Sequence, residues 1–302
     1  MTRDARAPAA ALVALLTACS ASSVVPPATA PASPSASATA SLAACPPALQ
    51  LSALHVLARV AGDPDDVTVD ADGVLWLSDR DGKRILQLSP QGALLHTFAD
   101  PNGPEGIVLL ADGTVIVAQQ VTDRLDVLHP GTGAFSTWLR LGATSSPTQG
   151  VDGIALDGGS VLVPDSAHGR LLSVAVGPGD VAGAAAVLAT NLGRPVAALH
   201  APASGYLVAL ENQPGLALVD AGAAGETAVI HVGSLDDLVV SRGLVYATDL
   251  ADQSVIAVDP ASGETRTLVS GAPAPQGLTL LPDGRLLLVD STAQEVAPLP
   301  VC

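Results

Sequence analysis

Six times between Pro64 and Asp290 the chain repeats one phrase: a turn, a strand start, a Gly-centred turn, and a second strand ending in a polar residue. The copies begin Pro64-Asp65-Asp66-Val67, Pro104-Glu105-Gly106-Ile107, Val151-Asp152-Gly153-Ile154, Arg194-Pro195-Val196-Ala197, Leu235-Asp236-Asp237-Leu238 and Pro275-Gln276-Gly277-Leu278. Counted from the third residue of each, the steps are 40, 47, 43, 41 and 40 residues. A period near 40 filled with short strands specifies a radial array with one four-stranded sheet per repeat. The predicted fold is therefore all-β, a six-bladed β-propeller. Such a scaffold hosts many unrelated activities, so function has to come from the site it builds.

In the first copy Val67-Thr68-Val69 is the inner strand, Asp70 to Gly73 turns, and Val74 to Asp79 is the second strand. Arg84 to Leu88 forms the third, and Pro90-Gln91-Gly92 turns into the fourth. Asp112-Gly113, Gly158-Gly159 and Asp283-Gly284 mark the same hairpin elsewhere, because tight turns need a positive φ. The sixth copy runs out after its third strand, while Leu54 to Val60 has the look of a fourth strand with no blade before it. The N-terminal segment is thus expected to complete the last blade and close the ring. That closure brings Cys45 near Cys302 and predicts a disulfide, worth roughly 5 kcal/mol for so long a loop in the chain-entropy model.

The beginning of the chain has a different character. Arg3 and Arg6 precede an apolar stretch from Ala7 to Leu16, long enough for a signal sequence and too short to span a bilayer. Leu16-Thr17-Ala18-Cys19 looks like a bacterial lipobox, with cleavage before Cys19 and lipid on that residue. Residues 1–18 are read as a lipoprotein signal peptide, 19–50 as an Ala/Ser/Pro-rich tether, and 51–302 as the propeller. Expected localisation is the extracytoplasmic side of a bacterial cell, with membrane contact only through the lipid on Cys19, and a disulfide is permissible there.

Charge narrows the partners. Residues 45–302 hold 11 Lys and Arg against 28 Asp and Glu, a formal charge of about −17. This excludes nucleic acid and anionic surfaces as natural partners and favours cations or cationic groups. Only 2% of residues are aromatic, which leaves few faces for stacking sugars or bases. A monomer that meets a small ligand or an envelope protein at the channel mouth is the expectation.

The phrase Pro64 to Asp79, followed by Arg84-Ile85-Leu86, resembles an NHL repeat, and its wider relatives are the SMP-30/gluconolactonase and strictosidine-synthase-like propellers. The likeness covers nearly all of residues 54–302. It implies one divalent ion at the channel mouth, held by a Glu, an Asn and an Asp at inner-strand starts. In such lactonases that ion polarises the lactone carbonyl and activates water. In this chain Asp65, Glu105, Asp152 and Asp236 match carboxylate positions, with Pro195 and Gln276 at the other two blades and no Asn at any of them.

Those four acids have two readings. Asp before Gly or Asp is common turn chemistry; alternatively, carboxylates crowded at a mouth repel one another unless a cation such as Ca2+ neutralises them. A second set ends the second strands: Asp79, Gln119, Asp165, Glu211, Asp249 and Asp290. Arg84 and Arg170 lie five residues after Asp79 and Asp165, a spacing that suits an ion-pair latch within the blade. Glu211, Asp249 and Asp290 lack that partner and, with Gln276, are expected at the mouth. His168 is the candidate general base. There is no Gly-x-Ser-x-Gly, His-Glu-x-x-His or Cys-x-x-Cys motif. Two functions follow as expectations: a lipid-anchored propeller that binds a cation, ligand or partner without catalysis, or a metal-dependent lactonase or related hydrolase.

Overall fold

The computed structural model describes residues 41–302, apart from 143–149, 202–204, 214, 221 and 223. The expected signal peptide, Cys19 and the tether up to residue 40 lie outside the described residues. Tight turns set the pairing in each blade. Gly73, Gly113, Gly158 and Gly284 all have positive φ, and Val69 pairs with Leu75 directly across the first of these turns. The described residues form six sheets, one per repeat, each running from an inner strand outward. In blade 1 the order is Pro64–Val69, Leu75–Asp79, Arg84–Leu88 and Leu94–Ala99.

Second strands such as Val115–Gln119, Leu244–Asp249 and Leu286–Asp290 are buried along their whole length. They read as continuous apolar runs because both faces of each sheet meet a neighbouring blade. The core is a set of layers between blades. Val67, Leu75 and Leu77 of blade 1, for example, pack on Leu287, Val289 and Val296 of blade 6. Burying each such side chain stabilises the fold by about 1.5–3 kcal/mol relative to exposure.

The ring closes as expected. Ala58 pairs with Val296 and Arg59 with Glu295, so Ala58–Arg59 is the fourth strand of blade 6. The Leu57 and Val60 amides donate to the Val296 and Gln294 carbonyls (2.8 and 3.0 Å). One part of the N-terminal segment departs from expectation. Leu49–Gln50 runs parallel to Thr265–Ser270 and adds a fifth strand to blade 5. Residues 41–50, expected to end the tether, therefore belong to the same folded unit as the blades.

The predicted disulfide between Cys45 and Cys302 is present. It sits among Leu51, Leu244, Tyr246, Val255 and Leu268, in the core layer between blades 5 and 6. Cys45 reaches it by way of blade 5, and not from directly before the closing strand. Leu51, which follows the added strand, is buried in the same layer.

Candidate functional site

Backbone hydrogen bonds fix how the blades correspond at one end of the central channel. The Arg80 amide donates to the Asp63 carbonyl (3.0 Å), Glu211 to Arg194 (3.1 Å), Leu250 to Ser234 (2.8 Å) and Ser291 to Ala274 (2.9 Å). Strand pairing agrees, since Pro64 lies opposite Asp79 and Pro195 opposite Leu210. Two expectations are corrected by this register. The fourth copy is offset by one residue, so Val196, not Pro195, occupies the place of Asp65. Glu211 corresponds to Arg80 rather than to Asp79. An insertion-free sequence match could not reveal this, because Arg194-Pro195 and Leu210-Glu211 both tolerate the shift.

At this end a pocket of about 390 Å3 opens, lined by Asp65, Glu105, Asp152, Asp236 and Gln276 from the inner-strand starts. From one residue beyond the second strands come Arg80, Gln120, Glu211 and Leu250. Glu211 and Gln276 are where they were expected. Asp249 and Asp290, also expected at the mouth, do not line it. Asp290 accepts from the Ala274 and Ala293 amides (3.1 and 2.7 Å), and Asp249 from Ala251 and Asp252 (both 3.1 Å). Carboxylates at the last strand position point back to tie loop backbone, whereas the next residue points inward. Arg80 and Gln120 were missed for that reason; the signal was a polar residue one place later.

Asp79 and Asp165 behave as the spacing predicted. Arg84 donates through Nε to Asp79 (2.7 Å) and Arg170 to Asp165 (2.6 Å). His168 does not reach the pocket. Its Nδ1 lies 2.7 Å from Asp165 Oδ1 and 3.7 Å from Asp123 Oδ2, at the junction of blades 2 and 3. As a general base for chemistry in the mouth it is out of place: the loop after the second strand is short, and its own blade's aspartate captures the ring.

Within the pocket, two guanidinium groups are already engaged. Arg80 bonds Asp63 through Nε (2.9 Å) and Glu105 through Nη1 (3.0 Å). Arg194 contacts Asp152 (3.3 Å) and also pairs with Glu211. The two pairs are charge-reversed copies: Asp63 and Arg80 in blade 1 stand where Arg194 and Glu211 stand in blade 4. Gln120 donates to Glu105 (2.5 Å) and to Asp152 (3.1 Å), bracing these two acids.

Acid remains in excess. Burial holds the Asp65, Glu105 and Asp236 carboxyls well above the usual carboxylate range, and the neighbouring Asp152 pushes each further up. Burial also raises Asp152, against the pull of Arg194. Just below, Asp66 and Asp237 stitch adjacent blades. Asp66 accepts from the Ile107 amide (2.8 Å) and Asp237 from Leu278 (2.7 Å). Asp237 is pushed up to about 7, chiefly by burial. Gly153 sits beside them because its amide donates to Val196 O (2.8 Å) and a Cβ there would crowd that carbonyl.

Carboxylate oxygens of Asp65, Glu105 and Asp152 lie within 4.8 Å of one another, and all three residues are buried. An all-oxygen donor set with unneutralised charge fits a hard divalent cation. Asp65 and Glu105 line the pocket, where Glu105 accepts from Arg80 and Gln120.

No protein-family model matches the sequence, and neither does any curated protein sequence. Among solved structures the fold is similar to a gluconolactonase from Xanthomonas campestris (TM-score 0.65, 15% identity, covering 82% of this chain and 89% of that one). It is also similar to the virginiamycin B lyase of Staphylococcus aureus (0.61, 11%, 82% and 99%). A third is the PQQ-bound aldose sugar dehydrogenase of Streptomyces coelicolor (0.67, 14%, 82% and 96%). Three chemistries on one architecture, all at low identity, show the fold alone.

Proposed function

We propose that this chain is an exported, lipid-anchored propeller whose channel mouth binds a divalent cation and, with it, a small polar ligand or envelope partner. The cluster of Asp65, Glu105 and Asp152 carries this reading, with Asp236 and Glu211 adding charge at the rim. Ca2+ is the first candidate because the donors are all oxygen. The lining is polar throughout except for Leu250, which suits a hydrophilic ligand better than an apolar one. The lipid anchor rests on the lipobox around Cys19. Metabolic labelling with a lipid analogue, lost in Cys19→Ala, is the test of that part.

A second reading, a metal-dependent lactonase, is favoured by the same three carboxylates and by the two guanidinium groups beside them. A bound divalent ion would supply carbonyl polarisation and water activation. In that case Arg80 and Arg194 hold the acids in place and Asp236, which lines the same pocket, is the carboxylate that takes a proton. One experiment separates the readings: Ca2+ and Mn2+ titrations followed by thermal melting, then a screen of lactones and aryl esters. A melting shift lost in Asp152→Ala, without turnover, supports binding. Turnover that disappears with the same substitution replaces it with the hydrolase, and no shift with either metal eliminates both.

A further inference from the structure

Blades 1, 3, 5 and 6 end their second strands with a buried aspartate, Asp79, Asp165, Asp249 and Asp290; opposite Asp290 lies Glu295, which pairs with Arg59 of the closing strand. In the first two, an arginine at the start of the third strand lies directly opposite, pairing Asp79 with Arg84 and Asp165 with Arg170. Each arginine spans two acceptors. Arg84 donates Nε to Asp79 and Nη2 to the Ala61 carbonyl (2.6 Å); Arg170 donates Nε to Asp165 and Nη2 to the Leu141 carbonyl (3.1 Å). Both carbonyls belong to the connection that enters the blade. The two arginine side chains remain 33% and 30% exposed, so the guanidinium is seated from the solvent side.

In blade 5 the residue opposite Asp249 is Ser254. The rest of the cradle is retained. Gly233 stands where Gly62 stands in blade 1, and at both places a Cβ would collide with the aspartate carboxylate. Val232 takes the place of Ala61. Where the arginine would lie there is instead a cleft of about 620 Å3, lined by Asp249, Val232, Gly233, Ser254, Asp252 and Thr267 among others, with no Lys or Arg in its walls among the described residues.

We infer that this cleft is a binding site for an alkylguanidinium group supplied from outside the chain, with Asp249 and Val232 doing for it what Asp79 and Ala61 do for Arg84. A planar guanidinium presents two donors to a carboxylate and a carbonyl at once, which a lysine ammonium does not match. Asp252 at the rim adds a second negative charge where blade 1 has Gly82. The source is either free arginine or an arginine side chain of a partner protein. This site is separate from the channel mouth and does not depend on the function proposed for it.

Ser254→Arg tests the inference by restoring the latch from within. Titrations of the full chain with ethylguanidinium, L-arginine and N-acetyl-arginine amide, followed by NMR, are compared with N-acetyl-lysine amide. Wild type is expected to bind the guanidinium probes saturably and the lysine probe on the order of tenfold more weakly, the difference of one charge-assisted hydrogen bond. Ser254→Arg is expected to abolish binding while raising the melting temperature; Asp249→Asn also abolishes binding but lowers the melting temperature, because the carboxylate accepts the Ala251 and Asp252 amides as well. Stronger binding of the blocked arginine than of free L-arginine points to a partner protein, and the reverse to the amino acid. Absence of saturable guanidinium binding in wild type, or its persistence in Ser254→Arg, overturns the proposal.

Discussion

The two ends of the ring's design contrast sharply: the seam between blades 5 and 6, and the mouth of the channel. At the seam Leu51, Leu244, Tyr246 and Leu268 surround a disulfide, an added strand covers the edge of blade 5, and Tyr246 Oη accepts the Cys302 amide (3.1 Å). Everything there favours the folded state. At the mouth, several buried carboxylates face one another with two guanidinium groups to offset them. Stabilisation is concentrated where Cys45 and Cys302 are joined, and the mouth carries a standing electrostatic penalty. Active and binding sites commonly tolerate such penalties when the rest of the fold over-determines their geometry.

Breaking the seam is expected to have the largest effect. Cys45→Ser with Cys302→Ser should lower stability by about 5 kcal/mol, since the bridge closes a loop of 257 residues. Denaturant melts with the linear extrapolation measure it, and a loss under 1 kcal/mol would show that the closing strand needs no lock. At the mouth, Arg194→Met strips the counter-charge from Asp152 and Glu211 and should cost about 3 kcal/mol near neutral pH. That loss should shrink in acid, where the two carboxyls take up protons.

The mouth acids also set the sign of the pH dependence. A carboxyl raised by folding binds a proton that the unfolded chain releases, so its contribution is full below the ordinary carboxylate pKa and is lost as pH rises through the folded value. For Asp237 that window runs from 3.8 to about 7. Asp65, Asp66, Glu105 and Asp236 act in the same direction. Metal-free protein in EDTA should therefore melt at a higher temperature near pH 5 than near pH 8, with added Ca2+ closing the gap. A melting temperature that climbs with pH would contradict this. The smallest expected effect is Asp236→Asn, which should stabilise the metal-free protein by about 1 kcal/mol near pH 8 and leave it unchanged near pH 5, because it removes a buried charge and its repulsion by Asp152 and Asp65.

Much of the architecture was legible in the sequence, for a physical reason. Gly and Asp-Gly turns impose hairpins locally, the 40-residue spacing repeats them, and a missing fourth strand can be filled only by an unpaired one elsewhere. Ring closure through Ala58–Arg59, the Cys45–Cys302 bridge, and the Asp79–Arg84 and Asp165–Arg170 latches all follow from such counting. Asp65, Glu105 and Asp152 were found in the same way, as acids at one repeated position.

Counting fails where one residue of register decides direction. Asp249 and Asp290 look like mouth residues in an alignment, yet their carboxylates turn to backbone amides, and Arg80, Gln120 and Glu211 enter the pocket from the next position. His168 was expected beside the acids and is held instead by Asp165. The fifth strand of blade 5, residues Leu49–Gln50, has no repeat to announce it. The sequence by itself determined how many blades there are, how they begin, and that carboxylates gather at their starts, because these depend on turn chemistry and spacing within each repeat. Only the tertiary structure decided which of those charges face one another, which arginines answer them, and that blade 5 keeps an arginine's cradle without the arginine. Those outcomes depend on how side chains from neighbouring blades meet across the channel and the clefts between sheets.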